Sequence, residues 1–527
     1  MAKAEIAEIA PAAPRPRASW RRHLPPYQVG ARIGETADRN LVLFTTTLVN
    51  FLDLFQLSAV LFALPDIEKS LAFSSQDANW VLVVYSITFA ALLLIGGQVG
   101  QYLGLETTFM AGTAILTVSN ILNAAAPNKA ALLAGRTISG IGAGLTAPNG
   151  LAIISRTFPD GPSRNRALAI YTACAPLGST IGTIVGSLLT SSPVGWRSIF
   201  WVCIILTGLA LVSACLFLPK FQRTTDVKID VLGTVVFTVG IALLVYGVND
   251  GQRAGWRSAS VLVGVIIGAC VCIALVLVEM KATNPAIPRY VWTSVPLGLM
   301  MFAVLAFGGS FSAWFFVVTQ LCVNQLGYTP VLTAVYLLPG AFSAIASGAL
   351  SAPMVKYLSE KGTLVFGLTL TACGAVAWAF ATPERAGGTG HGGGYWYAIV
   401  CAILFVCGSP LAMVPVQSIM LRHVEQGSHA VAAALFNTAY QVGASVLLAG
   451  SNALMNAHTE TVDGVPVIGV DGYRNAFWLL TGVLGAGALL IAACYWPKEA
   501  KDTVPKAPSQ VNEPLGQEEH ESGAASV

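Results

Sequence analysis

Residues 41–64 read LVLFTTTLVNFLDLFQLSAVLFAL, an apolar stretch that contains a single charged residue, Asp53. A helix that crosses a membrane needs about 20 consecutive and mostly apolar residues, and this segment meets that requirement. Reading from one charged or Pro/Gly-rich break to the next gives fourteen such segments along the chain. They are residues 41–64, 80–99, 107–126, 131–154, 167–189, 199–218, 231–248, 259–278, 297–318, 331–352, 364–380, 395–413, 431–447 and 476–495. The sequence therefore predicts an all-α, polytopic membrane protein.

The amino-acid composition indicates the same class of protein. Of the 527 residues, 55% are hydrophobic and 10% are charged, whereas about 25% of the residues in an ordinary soluble domain are charged. The mean hydropathy is +0.67. These values exclude a single water-soluble globule. The net charge of +3 is small and scattered over loops, so we expect no nucleic-acid partner.

The sequence lacks the motifs of an enzyme or of a metal centre. It contains no Walker motif, its ten cysteines include no CxxC pair, and its six histidines map to tails, loops or span edges. We therefore expect no ATP hydrolysis, no cofactor, no metal and no enzymatic activity. Any transport against a gradient has to draw on an ion gradient.

The basic residues predict the orientation in the membrane. An even number of spans places both termini on one side, and that side collects 21 of the 29 Lys and Arg residues, against 7 on the other side and Arg136 within a span. Basic residues accumulate on the cytoplasmic side of membrane proteins. Both termini are therefore predicted to be cytoplasmic, and we expect a multi-pass protein of the plasma membrane.

Two charged residues fall inside predicted spans, where each costs on the order of 3 kcal/mol on insertion scales. Asp53 lies about halfway along the first span, and Gln56, three residues on, shares its helix face. Because no histidine lies within a span, Asp53 is the candidate proton-coupling residue, with Gln56 as its polar partner. The alternative is a carboxyl that pairs with a neighbouring helix and never titrates. Arg136, near the outer end of the fourth span, is expected to tune the coupling site or the gate. The alternative is an arginine that snorkels to the surface or pairs with backbone carbonyls.

Other residues are candidates for helix packing and for a substrate cavity. Gly178, Gly182 and Gly186 recur every four residues on the fifth span, which predicts the close approach of another helix. Uncharged polar and aromatic residues of other spans could line a cavity, with helix–helix contact as the alternative for each. These residues are Asn149, Trp314, Phe315, Phe316, Gln320, Asn437, Tyr440 and Gln441. Such a cavity has no second fixed charge and suits amphiphilic or weakly basic solutes better than anions.

Over nearly all of residues 41–495, the chain resembles the fourteen-span drug:proton antiporter branch of the major facilitator superfamily. Residues 132–144 are similar to the family's Leu-xxx-Arg-xx-Gln-Gly motif, with Ser139 where Gln is usual. Residues 178–187 resemble its antiporter motif Gly-xxx-Gly-Pro-xx-Gly-Gly, with Thr183 in place of Pro. Residues 251–256 and 320–339 also resemble this branch. Residues 55–58 and 157–162 are similar to a fungal subgroup that includes multidrug exporters, secondary-metabolite exporters and low-affinity ammonium transporters.

Two departures from the family pattern concern proton coupling and gating. Alignment of residues 63–65 with the family's Ala-Leu-Pro places Gln56 where the first-span Asp usually stands, and Asp53 lies one turn nearer the cytoplasm. Between spans two and three the family carries Gly-x-Leu-Ala-Asp-x-x-Gly-Arg-Lys, whereas residues 97–107 have Gln101 at the Asp position and no basic residue. The charge latch that this motif implies is therefore expected to be missing.

The resemblance implies a major facilitator fold with two six-helix halves, residues 41–218 and 297–495, and two inserted central spans within residues 231–278. The tails, residues 1–40 and 497–527, are predicted to be disordered and cytoplasmic.

The expected function is proton-coupled export of small amphiphilic molecules, such as drugs or secondary metabolites. The expected partners are protons, a small-molecule substrate and the lipid bilayer, and we expect a monomer. The alternatives are a facilitator or uptake route for a small solute such as ammonium, and a sensor that binds solute without transporting it.

Overall fold

The computed structural model describes residues 35–73, 78, 80–159, 161–190, 192–221, 231–255, 258–280, 287, 289–382, 395–424, 429–462 and 465–496. Within these ranges the chain forms fourteen α-helices and one short β-hairpin. The helices are α1 (Glu35–Leu71), α2 (Trp80–Leu103), α3 (Leu105–Ala124), α4 (Lys129–Thr157), α5 (Pro162–Thr190), α6 (Arg197–Phe217), α7 (Val231–Ala254), α8 (Ala259–Glu279), α9 (Arg289–Thr293), α10 (Val295–Asn324), α11 (Pro330–Ala379), α12 (Tyr395–Arg422), α13 (His429–Asn456) and α14 (Val470–Cys494).

The helices account for the predicted spans. Among the described residues, twelve helices are long and apolar enough to cross a membrane. One of them, α11, is 50 residues long and has a non-helical break at Ser359 (φ 65°, ψ 169°), so it contains both predicted spans 331–352 and 364–380. Helix α7 carries the shorter apolar segment Gly233–Val248. The predicted all-α fold is confirmed, and the protein is an integral, multi-pass membrane protein.

The boundary of the N-terminal tail differs from the prediction. Helix α1 begins at Glu35, so residues 35–40 are helical although they were assigned to the tail. This polar stretch contains no proline or glycine, and a helix can extend beyond the apolar part of a span when no residue breaks it. The predicted disorder of residues 1–34 and 497–527 lies outside the described residues.

The β-hairpin was not predicted. Strands β1 (Thr459–Val462) and β2 (Val465–Ile468) are antiparallel and lie between α13 and α14. The amide of Gln325, just after α10, donates a hydrogen bond to the carbonyl of Ile468 at 2.8 Å. The sequence signal for the hairpin is the Asp-Gly pair at residues 463–464 between two β-branched runs.

The helices pack as two bundles with an additional pair between them. Helices α1–α6 pack against one another, and α10–α14 form a second group. The two bundles meet where α5 contacts α11 and α12, and where α13 contacts α2 and α4. Helices α7 and α8 pack on each other, and α7 also contacts α2 and α13. The α7–α8 pair therefore lies beside the seam between the bundles.

Candidate functional site

A cavity of about 940 Å³ lies between the two bundles. Its walls come from α1, α2, α4 and α5 on one side and from α10, α12 and α13 on the other, with one residue from α7. The cavity extends from Asp53, midway along α1, to Trp80 and Asn456, which lie at helix ends on the side predicted to be outer. Its volume is in the range of pockets that enclose a drug-sized molecule.

At the opposite end, predicted to be cytoplasmic, the bundles are in contact. A Cβ added at Gly97 of α2 would lie 2.7 Å from the carbonyl oxygen of Ala430 in α13. Ser155 Oγ lies 3.0 Å from His429 Nδ1, which joins α4 to α13. On the cavity wall itself, Thr172 donates a hydrogen bond to Gln417 Oε1 at 3.3 Å, which joins α5 to α12. The cavity is therefore closed on the predicted cytoplasmic side.

Asp53 lies on the cavity wall and its side chain is 7% exposed. In the part of the chain that the structure describes, its carboxyl makes no hydrogen bond and no ion pair. Two tyrosines of the cavity wall, Tyr85 and Tyr171, lie within electrostatic range of it. The alternative in which Asp53 pairs with a neighbouring helix is therefore not found among the described residues. Its role in proton coupling stays a prediction.

Gln56 makes its side-chain hydrogen bond to α3 and not to Asp53. Its Nε2 donates a hydrogen bond to Asn120 Oδ1 of α3 at 2.7 Å, and the side chain is buried. Residues three apart on a helix differ by about 60° in direction, which is enough to point Asp53 at the cavity and Gln56 at α3. The expectation that Gln56 is the polar partner of Asp53 does not agree with the structure, because Asn120 satisfies the Gln56 amide instead.

Arg136 is fully buried, so it does not snorkel to the surface. Its Nε donates a hydrogen bond to the carbonyl of Val81 at 3.0 Å, and its guanidinium carbon lies 4.5 Å from the ring centre of Tyr85. The two terminal guanidinium nitrogens have no hydrogen-bond partner among the described residues. Because Tyr85 is within electrostatic range of both Asp53 and Arg136, this tyrosine connects the buried cation with the cavity wall.

The glycine stripe of α5 lies against α1, beside Asp53. Added Cβ atoms at Gly178 and Gly182 would lie 2.6 Å and 2.4 Å from the carbonyl oxygens of Phe51 and Phe55, and one at Gly186 would lie 2.6 Å from the Cα of Ala59. Real side chains do not tolerate such distances, so only glycine permits this helix separation. The stripe thereby positions the helix that carries Asp53.

Most of the predicted cavity residues line the cavity, but two do not. The residues on the wall are Phe315, Phe316, Gln320, Asn437, Tyr440 and Gln441. Asn149 instead donates a hydrogen bond to the carbonyl of Gly96 at 2.8 Å, because glycine at α2 lets its amide reach the backbone. Trp314 is buried and stacks on Phe405 with ring centres 4.4 Å apart. These two side chains pack helices together and do not reach the cavity.

Sequence reasoning missed one acid and several aromatic residues of the wall. Asp250 of α7 lines the cavity, although the predicted seventh span ended at residue 248. The expectation of a cavity without a second fixed charge is therefore wrong. The missed aromatic residues include Trp80, Tyr85, Phe89 and Tyr171. The sequence signal for Asp250 was Tyr246, four residues earlier. Residues four apart lie on the same face of a helix.

The Major Facilitator Superfamily profile matches residues 46–447. The chain belongs to the Major Facilitator Superfamily. Among the relatives of this major facilitator protein, the Major facilitator superfamily multidrug transporter mfsC of Aspergillus fumigatus is 62% identical over 474 residues, which cover 90% of each chain. The Cephamycin export protein CmcT of Amycolatopsis lactamdurans is 28% identical over 451 residues, which cover 85% of this chain and 90% of the relative.

The fold is also found in a solved structure. The crystal structure of the human organic anion transporter MFSD10 (TETRAN) matches with a TM-score of 0.63 and 13% identity, covering 86% of this chain and 99% of that one. At this identity the likeness concerns the fold alone. This likeness and the family match confirm the predicted major facilitator fold. The family match and the 62% identical multidrug transporter show that the protein is a membrane transporter.

Proposed function

We propose that this major facilitator transporter exports small amphiphilic molecules in exchange for protons. The observation that carries the proposal is Asp53, a carboxyl midway along α1 on the wall of a cavity large enough for a drug-sized molecule. The names of two relatives, a multidrug transporter and a cephamycin export protein, support export of this class of substrate. A carboxyl inside a membrane protein is by default a candidate for ion or proton binding.

The exchange uses two states of the molecule. With the cavity extending to the predicted outer end, Asp53 takes up a proton and substrate leaves. The contacts of Gly97, Ser155 and Thr172 with the second bundle then open, and the cavity faces the cytoplasm. There Asp53 releases its proton and new substrate binds. Rocking of two helical bundles around a central site is the general way in which such a carrier alternates its access.

The other predicted site residues position α1 and Tyr85. Arg136 holds the ring of Tyr85, which faces the cavity within electrostatic range of Asp53. Gln56 ties α1 to α3 through Asn120, and the glycine stripe fits α5 against α1. We assign these residues positioning roles, with Asp53 as the residue that exchanges the proton.

The transporter is proposed to work as a monomer in the plasma membrane, with both termini in the cytoplasm. The 21 basic residues on the side of the termini, against 7 on the other side, support this orientation. The end of the cavity at Trp80 and Asn456 then faces the cell exterior, which agrees with release of substrate to that side.

The test is transport into inside-out vesicles by wild-type protein and by Asp53→Asn, with and without a protonophore. A panel of lipophilic cations and ammonium serves as the set of probes, and proton movement is recorded in parallel. We expect wild-type vesicles to accumulate a lipophilic cation in a manner that the protonophore abolishes. Asp53→Asn removes the proton-binding group and should abolish this accumulation without loss of expression.

Asp66→Asn is the matched control, because it removes a carboxylate from the same helix at an exposed position. It should transport like the wild type. Protonophore-sensitive accumulation by Asp53→Asn at the wild-type level would contradict the assignment of Asp53. Solute that merely equilibrates in all conditions would instead identify a facilitator.

A further inference from the structure

The two bundles contribute different chemical groups to the cavity wall. Asp53, the proposed proton site, belongs to the bundle of α1–α6. Among the described residues, seven side-chain amides line the cavity, and six of them come from the bundle of α10–α14. These six are Gln320, Gln417, Asn437, Gln441, Asn452 and Asn456, whereas Asn50 lies on α1. The wall formed by α10, α12 and α13 is therefore rich in uncharged groups that form hydrogen bonds.

Two of these amides, Gln441 and Asn437, face the cavity with hydrogen-bonding capacity left over. In the part of the chain that the structure describes, the Gln441 side chain makes no hydrogen bond. Asn437 Nδ2 donates to the carbonyl of Ala433 in its own helix at 2.8 Å, which leaves Oδ1 available. Residues four apart share a helix face, so both amides lie on the side of α13 that lines the cavity. A solute hydroxyl can accept a hydrogen bond from the Gln441 amide and donate one to Asn437 Oδ1.

Phenyl rings of α10 lie beside the amide-bearing face of α13. Phe307, Phe311 and Phe315 line the cavity, and the first two rings stack with their centres 6.0 Å apart. Helices α10 and α13 pack closely, and a Cβ added at Gly308 would lie 2.5 Å from the ring of Tyr440. Pockets that combine apolar rings with a few placed polar groups orient a ligand through those polar groups. This wall therefore suits an aromatic molecule that carries an uncharged oxygen group.

We propose that the wall of α10 and α13 selects aromatic substrates that carry a hydroxyl or carbonyl group. Gln441 and Asn437 bind the oxygen group, and the substrate rings lie against Phe311. This inference rests on the proposed export function and deepens it, because Asp53 exchanges the proton on the other bundle. A site built to hydrogen-bond a ligand group discriminates against an analogue that lacks the group, since the polar side chains are then left without partners. Substrate recognition and proton exchange thereby use different residues.

The test measures equilibrium binding of two radiolabelled probes to the purified transporter in detergent, with protein-free micelles as the blank. Triphenylmethanol carries one hydroxyl group, and triphenylmethane has the same three rings without it. We expect Gln441→Leu to weaken triphenylmethanol binding by about fivefold, the factor that one hydrogen bond contributes. Binding of triphenylmethane should be unchanged.

Two further variants separate the hydrogen bond from the ring contact and from a general effect of losing an amide. Phe311→Leu removes a ring contact that both probes make, so it should weaken both by the same factor. Asn475→Leu removes an amide from α14, where it lies outside the cavity wall beside His458. This control should bind both probes like the wild type.

The possible results separate this inference from the proposed function. Wild-type affinity of Gln441→Leu for triphenylmethanol would overturn the selection by α10 and α13. An equal loss of affinity for both probes in Gln441→Leu would also overturn it, because Gln441 would then act on the fold and not on the oxygen group. Both results leave protonophore-sensitive accumulation by the wild type intact. Failure of that accumulation would instead overturn the export function, since binding in detergent needs no proton gradient.

Discussion

Arg136 is held by an aromatic ring and a backbone carbonyl instead of an acid. Its guanidinium lies over Tyr85, its Nε binds the carbonyl of Val81, and the side chain is fully buried. A guanidinium group is planar and weakly hydrated compared with an ammonium group, so it tolerates stacking in an apolar setting. This residue therefore requires the shape of arginine as well as its charge.

We expect Arg136→Lys to lower the free energy of unfolding by about 2 kcal/mol, because an ammonium group cannot keep the Nε hydrogen bond and the planar stack together. The measurement is fluorescence-detected thermal unfolding of the purified protein in detergent. Tyr85→Phe is the control, since it keeps the aromatic ring and removes only the hydroxyl. If Arg136→Lys unfolds at the wild-type temperature, the stack does not hold Arg136.

The sequence could identify the polar and aromatic residues of the spans but not the direction in which each side chain points. Trp314 and Phe315 are adjacent, yet Trp314 stacks on Phe405 while Phe315 lines the cavity. Neighbouring residues on a helix differ by about 100°, and in a bundle both directions can be buried. Asp53 could be identified without knowledge of its direction, because a single acidic residue in an apolar span is a candidate site on any face of the helix. Asp250 was missed because it lies beyond the apolar run that defined its span.

Among the helices, the contact between α1 and α5 has little space for a larger side chain. The added Cβ at Gly182 would lie 2.4 Å from the carbonyl oxygen of Phe55, two residues after Asp53. Inserting side-chain volume into a tight contact costs about 1 to 3 kcal/mol. Any larger residue here has to separate α5 from the helix that carries the proposed proton site.

Gly182→Val should therefore lower the free energy of unfolding by about 2 kcal/mol and reduce proton-coupled transport, because the added volume displaces α1. Thermal unfolding and vesicle transport measure the two effects. The control is Gly208→Val on α6, where an added Cβ has no neighbour within 4 Å. Normal stability and normal transport by Gly182→Val would rule out a tight α1–α5 contact in the working protein.

The existence of the long helices could be predicted because a run of about 20 apolar residues has few alternatives in a membrane. The ends were harder to place. Residues 35–40 continue α1 with polar residues, and apolarity alone gives no signal for such an extension. The break in α11 at Ser359 separates two spans by a single non-helical residue, so the structure shows one element where the pattern indicated two. The hairpin of residues 459–468 lies outside the spans, where the hydropathy pattern carries no signal.

For the molecule as a whole, the contacts between the bundles define which end is closed. Gly97 meets the backbone of Ala430, and Ser155 and Thr172 reach His429 and Gln417. The contacts of Gly97 and Ser155 lie at the end predicted to be cytoplasmic, and the Thr172–Gln417 hydrogen bond lies on the cavity wall. They are uncharged hydrogen bonds and a glycine contact, so closure in this state does not depend on the charge latch that residues 97–107 lack.

Gly97→Val should shift the molecule away from this state, because a side chain at residue 97 overlaps the backbone of Ala430. A cost of about 1.4 kcal/mol corresponds to a tenfold change in the population ratio. We expect outside labelling of Ser445→Cys, a buried position on the cavity wall, to fall when Gly97→Val is added, by at most about tenfold, because labelling follows the population of this state. Labelling with a membrane-impermeant thiol reagent is read by peptide mass spectrometry, which separates it from labelling of the native cysteines.

Gly482→Val on α14 is the control for this measurement, because an added Cβ there has no neighbour within 4 Å. It should leave labelling of Ser445→Cys unchanged. Equal labelling with and without Gly97→Val would mean that the α2–α13 contact does not control access to the cavity.

The position of Asp53, midway along α1 on a wall whose described residues include no base, also determines how the membrane voltage enters the energetics. Moving one elementary charge through the membrane is worth about 2.3 kcal/mol per 100 mV. In the proposed exchange at this carboxyl, one proton against one monovalent cation moves no net charge, so the pH difference alone drives export. One proton against an uncharged molecule carries a positive charge inward, and the voltage then adds to the driving force. With proton exchange at the same carboxyl, an uncharged substrate can therefore reach a steeper concentration gradient than a monovalent cation.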